Sequence, residues 1–218
     1  MEVNLLGAMN AAAAVIPRFV RQGSGVLINN ISLAAWAPTP FAAAYTASKY
    51  GLRGLTASLR QELSDHRDIH VCGIFPAMID TPGFAHGANT LGRSLDPGPL
   101  LYRPEDVAEA FIRVARRPRA ETAVGWPSSA SKLAYAAAPQ PFAASINGFM
   151  RAVLSRAKPA PRTSGAVLTP TADGRGSSGG WLQAKRLPSA RMLTAATLAG
   201  VGLAAVGATA AAMARRRR

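Results

Sequence analysis

Apolar positions recur at three- and four-residue steps from Leu5 to Gln22. Leu5, Leu6, Met9, Ala13, Ile16, Phe19 and Val20 mark one face of a helix. Arg18 and Arg21 suit its last turn, and Gly23 fits the stop. Gly25 to Ile31 is a short apolar run that reads as a buried strand. A second helical pattern spans Ala42 to Ser64, with Leu52, Leu55, Leu59 and Leu63 as its inner stripe. Ile69 to Phe75 predicts a second strand, closed by Pro76. Pro76 to Tyr102 is rich in Gly, Pro, Asn and Thr and reads as a long loop, of the kind that carries function. Pro104, followed by Glu105 and Asp106, starts a third helix that runs to about Arg116. Glu121 to Trp126 predicts a third strand. Helices alternating with apolar strands imply an α/β layered fold with a parallel sheet.

Beyond this body the pattern changes. Residues 158–190 collect Pro159, Pro161, Pro170 and Pro188 and a Gly-Ser-Ser-Gly-Gly run at 176–180, which predicts a disordered linker. Met192 to Ala214 then has no charged residue, and Arg215 to Arg218 close the chain. The expected organisation is a catalytic-type body at 1–157, a linker at 158–190 and a hydrophobic helix with an arginine cluster at 191–218.

Composition alters this picture in two places. The net charge of +14 would suggest nucleic acid or an anionic surface. The charge is lopsided, however. The 13 basic and 10 acidic residues of 1–150 leave only +3, whereas the 12 basic residues and single acid of 151–218 leave +11. The body is nearly balanced, so no nucleic-acid partner is expected. Cys72 is the only cysteine, which excludes a disulfide framework; it sits mid-strand and reads as a buried inert thiol. With His66, His70 and His86 as the only histidines, no metal site is expected.

Candidate chemistry lies between the first strand and the second helix. Asn29-Asn30-Ile31-Ser32 ends the strand, and Tyr45-Thr46-Ala47-Ser48-Lys49 opens the helix. Tyr45 and Lys49 are four residues apart, so both side chains lie on one helix face. An ammonium so placed favours the tyrosinate, giving a phenol able to donate or accept a proton near neutral pH. Ser32 falls at the carboxyl edge of a parallel strand, where ligands bind in open α/β sheets. Its hydroxyl can hold a substrate carbonyl or alkoxide beside Tyr45. Trp36 and Phe41 either line the entrance or pack in the core.

These residues resemble the C-terminal half of a short-chain dehydrogenase/reductase. Ser32, Tyr45 and Lys49 match that family's Ser and Tyr-x-x-x-Lys, and Asn29 to Ser32 its strand end. Asn4 matches its structural asparagine, Pro76 to Thr81 its Pro-Gly-x-x-x-Thr segment, and Arg103 to Ala108 its late helix. The resemblance covers about Met1 to Trp126. It implies a partial Rossmann-type, doubly wound sheet and an oxidoreductase that uses NAD or NADP on a small carbonyl or alcohol substrate. It implies Tyr45 as general acid/base, Lys49 on the nicotinamide ribose, Ser32 on the reacting oxygen and Asn4 holding a water that relays protons to Lys49. Pro76, Ile79 and Thr81 would border the nicotinamide carboxamide. The helices at 5–22 and 42–64 are the family's pairing surface, so a homodimer is a further expectation.

The departures matter as well. Ala77 stands where the family has glycine, which would tighten the turn. No Gly-x-x-x-Gly-x-Gly turn joins a strand to a helix, and the family's first strands would lie before Asn4. The expectation is a chain with little activity by itself. It would be either a misplaced start in a longer gene product, the favoured reading, or a true fragment, a non-catalytic piece that dimerises or anchors to a membrane. Met192 to Ala214 is long enough to span a bilayer, yet ten of its residues are Ala against three Leu and two Val. Its flanking arginines suit anionic headgroups, so the placement expected is cytoplasmic and membrane-associated through 192–214.

Overall fold

The computed structural model describes residues 1–94, 96, 97, 100–166, 169, 170, 174 and 176–184. A π-helical turn at Glu2–Leu6 leads into α1, Gly7–Gln22. Gly23 ends that helix with a left-handed φ of 78°, a conformation that costs glycine little. There follow β1 (Gly25–Asn30), α2 (Ala43–Glu62), β2 (Ile69–Pro76), a short α3 (Gly83–His86), α4 (Pro104–Arg116) and β3 (Glu121–Val124). Then come α5 (Trp126–Ala137), α6 (Pro139–Arg156) and a short α7 (Trp181–Ala184). The three strands form one parallel sheet in the order β1-β2-β3. Gly25 faces Ile69 at one end of the first pair and Asn30 faces Ile74 at the other, while Gly73 to Pro76 face Glu121 to Val124.

β2 is central and buried nearly throughout, so both of its faces must be covered. Alternation along the strand divides the labour. Cys72 and Ile74 point to Ala110 and Val114 of α4. Phe75 points the other way, to Leu52 of α2 and to Ile31, Ala35 and Trp36. Ile69 and Val71 share that side with Leu63, Leu59, Ile16 and Phe19. Helices on both faces of a parallel sheet are the α/β layered arrangement the pattern predicted. Gly73 is required by close approach: a Cβ there would lie 2.8 Å from Ile31 Cδ1 and 2.9 Å from Phe75 Cε2. Cys72 is buried and its thiol is pushed up by that burial, as an inert core sulfur would be.

Glu2–Gln22 is the one helix among the described residues that is long and apolar enough to cross a membrane. Its apolar character has a local use, since Leu5, Ala8, Ile16 and Phe19 pack against the sheet and α2. The hydrophobic segment expected at 192–214 lies outside the described residues.

Two elements differ from the sequence expectation. β3 stops at Val124, short of Trp126. Gly125, at φ 93°, turns the chain sharply, with the Tyr102 ring 2.6 Å from where a Cβ would stand. Trp126 therefore opens a helix, with Pro127 in its first turn. The second difference is the stretch expected to be a disordered linker. Where described, it lies back on the loop after β2. Asn89 and Thr163 exchange backbone hydrogen bonds, Ser94 donates to Lys158, and Ala160 to Gly92. The prolines and glycines suit a tightly apposed strap, because its backbone donors find carbonyl partners in the loop instead of water.

A polar seam fastens α5 to the sheet. Glu121 of β3 meets Arg53 of α2 at 3.3 Å and Lys132 of α5 at 2.6 Å. Burial alone would raise the Glu121 carboxyl, but the hydrogen bond and charge of Lys132, then Arg53, outweigh it and hold the group below its ordinary value. An acid whose folded value is depressed stabilises the fold above the unfolded value and loses that contribution as pH falls through the folded one. Glu121→Gln is therefore expected to lower the urea midpoint at pH 7. The gap to the parent should narrow in acid, as the pH falls through the depressed folded value and the parent's carboxylate is protonated too. An equal gap at neutral and acid pH would show that the seam is not ionic.

Candidate active site

The carboxyl ends of β1 and β2 lie side by side, with Ile31 N–H donating to the Ile74 carbonyl at 2.8 Å. Ser32 follows directly and is largely buried. Its Oγ accepts from Ala34 N–H at 3.1 Å, capping the 3-10 turn Leu33–Ala35 and fixing the hydroxyl at the sheet edge.

Tyr45 and Lys49 lie one turn apart in the first half of α2. The ammonium is 5.8 Å from the centre of the phenol ring. Lys49 Nζ donates to the Asn30 carbonyl at 2.9 Å, tying helix to strand two residues before Ser32. Burial draws the ammonium below its ordinary value. Tyr45 remains 43% exposed. The arrangement sets a phenol and a cation on one helix face, with a capped hydroxyl at the neighbouring strand end.

Asn4 takes part, but through Ser48. Its Nδ2 donates to Ser48 Oγ at 3.1 Å, and that hydroxyl donates to the Tyr45 carbonyl at 2.7 Å. The π-helical turn places Asn4 beside the buried Ser48 of α2, and its amide nitrogen is directed there. Ser48 gave no sequence signal, since a serine three residues past Tyr45 looks like any helix-surface polar residue.

Pro76 ends β2 in the core. Ala77 N–H donates to the Val124 carbonyl at 2.9 Å. Ala77 does not adopt a left-handed conformation, so the expected strain at this turn is not found; Phe41, at φ 62°, is the one non-glycine in that region among the described residues. Ile79 bridges to Tyr102, and Thr81 N–H donates to the Ile79 carbonyl at 2.9 Å. The 76–81 backbone is thus held beside the strand ends, with Thr81 partly exposed.

Of the two aromatics, Trp36 is core: it is 5% exposed and stacks on Phe75 at 3.9 Å. Phe41 is 51% exposed and stands four residues before Tyr45. Asp80 was not singled out by the sequence reading. It is almost fully buried, and its carboxylate accepts from Ser178 Oγ and from the N–H groups of Trp181 and Leu182 at 3.1–3.3 Å.

Residues 1–90 match the family model described as short chain dehydrogenase. An uncharacterized oxidoreductase of Staphylococcus saprophyticus is 31% identical over 118 residues, covering 54% of this chain and 47% of that protein. One from Staphylococcus aureus is 30% identical over 119 residues, covering 55% and 48%. The chain spans about half the length of the curated relatives it matches. Among solved structures, a short chain dehydrogenase from Burkholderia cenocepacia in complex with NADP is similar, with a TM-score of 0.55 and 25% identity over 67% of this chain and 56% of that one.

Proposed function

We propose, on the premise that residues 1–90 are short-chain dehydrogenase sequence, that this chain carries the proton-transfer end of a nicotinamide-dependent oxidoreductase acting on a small carbonyl or alcohol. The observation that carries the reading is the placement of Tyr45 and Lys49 on one face of α2, with Lys49 bonded to the strand end that presents Ser32.

The residues present suit the nicotinamide end of such a cofactor. They supply a fixed backbone at Ile79, a partly exposed hydroxyl at Thr81 and a cation at Lys49, all at the carboxyl edge of a parallel sheet. The pyrophosphate is less well served, because no described strand enters a helix through a Gly-x-x-x-Gly-x-Gly turn. Bound there, the nicotinamide would supply or accept the hydride. In the reducing direction Ser32 would donate a hydrogen bond to the carbonyl oxygen, and Tyr45 would give that oxygen its phenolic proton. Lys49 would stabilise the phenolate left behind and hold the ribose hydroxyls. Asn4 would keep Tyr45 and Lys49 in register by fixing Ser48 between them. Whether NAD or NADP is used, and which carbonyl is reduced, would depend on residues outside this constellation.

The test is turnover by the longest in-frame product of the gene, assayed with NADH and NADPH against a panel of aldehydes, ketones and secondary alcohols. Nicotinamide oxidation or reduction that depends on Tyr45 is the expected result; its absence across the panel would sink the reading. A second reading, a non-catalytic chain that pairs through α1, draws on the exposed Val3, Leu6, Met9 and Val20. Turnover separates the two, since a dimer fits both readings and the second requires one without activity.

A further inference from the structure

The segment after α6 returns to the loop beyond β2, where one buried side chain gathers residues 178–182. Asp80 lies four residues past the end of β2, at the start of the loop that closes the carboxyl edge of the sheet. It is 2% exposed. Ser178 Oγ donates to its Oδ2 at 3.2 Å, Leu182 N–H to Oδ2 at 3.3 Å, and Trp181 N–H to Oδ1 at 3.1 Å. Its own carbonyl accepts from Gly179 N–H at 3.2 Å. These partners are about 100 residues away in sequence.

Further along the same loop, residues 158–166 add a short antiparallel pairing. Asn89 faces Thr163 and Arg93 faces Pro159. Ala166 N–H donates to the His86 carbonyl at 2.9 Å. Glycines permit this proximity. A Cβ on Gly165, which sits at φ 56°, would lie 2.4 Å from the His86 carbonyl oxygen. One on Gly179 would lie 2.5 Å from the Thr81 carbonyl oxygen. Flexible composition here serves close approach.

We propose that residues 158–166 and 176–184 form a clamp that fixes the loop 78–94 at the mouth of the site, with Asp80 as its positioning residue. The clamp presses on the backbone of Thr81 and pairs with the loop at 86–94, so it sets how far that loop stands from the strand ends. It acts through the loop and does not touch the reacting atoms. Its bearing on substrate access rests on the oxidoreductase reading; the clamp itself does not.

The experiment uses the full chain and amide hydrogen exchange. Asp80→Asn leaves one acceptor oxygen in place of two and removes the charge that favours three donors. Gly179→Ala leaves Asp80 intact and wedges the strap away from Thr81. Both variants are expected to speed exchange at the Asn89, Ala160, Thr163 and Ala166 amides by about tenfold or more. The β2 amides from 71 to 75 should be unchanged. Faster exchange confined to 178–182, or none in the loop, would overturn the clamp. Should Asp80→Asn also loosen β2, Gly179→Ala decides. These readouts do not require turnover, so failure of the clamp and failure of the oxidoreductase reading are distinguishable.

Discussion

Tyr45→Phe is expected to lower kcat of the active gene product by about a thousandfold, the scale of losing a positioned general acid/base. The fold should be untouched, because the ring is half open to solvent and the Ser48 bond goes to the Tyr45 carbonyl, which phenylalanine keeps. Circular dichroism and the urea midpoint would verify that. Lys49→Met tests the same unit from the other side, since it retains the apolar stem and deletes the charge. The pH profile carries a further signature. Burial draws the Lys49 ammonium below its ordinary value, so the charged form is lost at a lower pH than for a free lysine, near 10.4. The alkaline limb of turnover should accordingly start below that value and disappear in the Lys49→Met variant. Undiminished turnover in Tyr45→Phe would remove the phenol from the mechanism.

The largest loss of stability is expected from Phe75→Ala. Phe75 is fully buried, stacks on Trp36 at 3.9 Å with nearly parallel rings, and joins Leu52, Ile31 and Ala35 in the cluster between β2 and α2. Removing the ring forfeits its transfer energy and leaves a cavity that rigid neighbours fill poorly, about 3–5 kcal/mol together. Folded domains hold only about 5–15 kcal/mol in reserve, so this variant would sit near the threshold of folding. Phe75→Leu retains most of the volume and keeps the comparison measurable by urea denaturation. A shift in Phe75→Ala no larger than that of a surface substitution would show that the cluster is not the core. The site would suffer too, since Ile31 of the same cluster immediately precedes Ser32.

α1, α2, α4 and the three strands were legible because their apolar positions repeat at the helical step or run unbroken. The apolar run at 69–75 is what a strand covered on both sides requires, and the leucines of 52–63 repeat at the helical step. The Tyr45–Lys49 spacing is weak by itself and stood out only in company with Ser32, Asn4 and the Pro76–Thr81 segment. Other features left no trace in the pattern. α5 and α6 are alanine-rich and interrupted by prolines that prove to lie in their first turns, so no periodic stripe announces them. Trp36 and Phe41 look equivalent in sequence; only packing against Phe75 makes one core and leaves the other exposed. The strap from 158 onward has the composition of a linker, and the carboxylate that holds it lies roughly a hundred residues upstream. No local rule reports a partner so distant. Asn4 shows the same limit at finer scale: its place in the preceding helix was legible, its bond to Ser48 was not.

The Trp36 indole, with Phe75 stacked against it and the Lys132 ammonium 4.7 Å from its ring centre, has an optical consequence. Trp126 is 47% exposed and Trp181 partly exposed, whereas Trp36 is sealed, so the bluest emission belongs to Trp36. The blue component is a label-free fluorescent gauge at the junction of α2, β2 and α5, and it would redden as that junction opens.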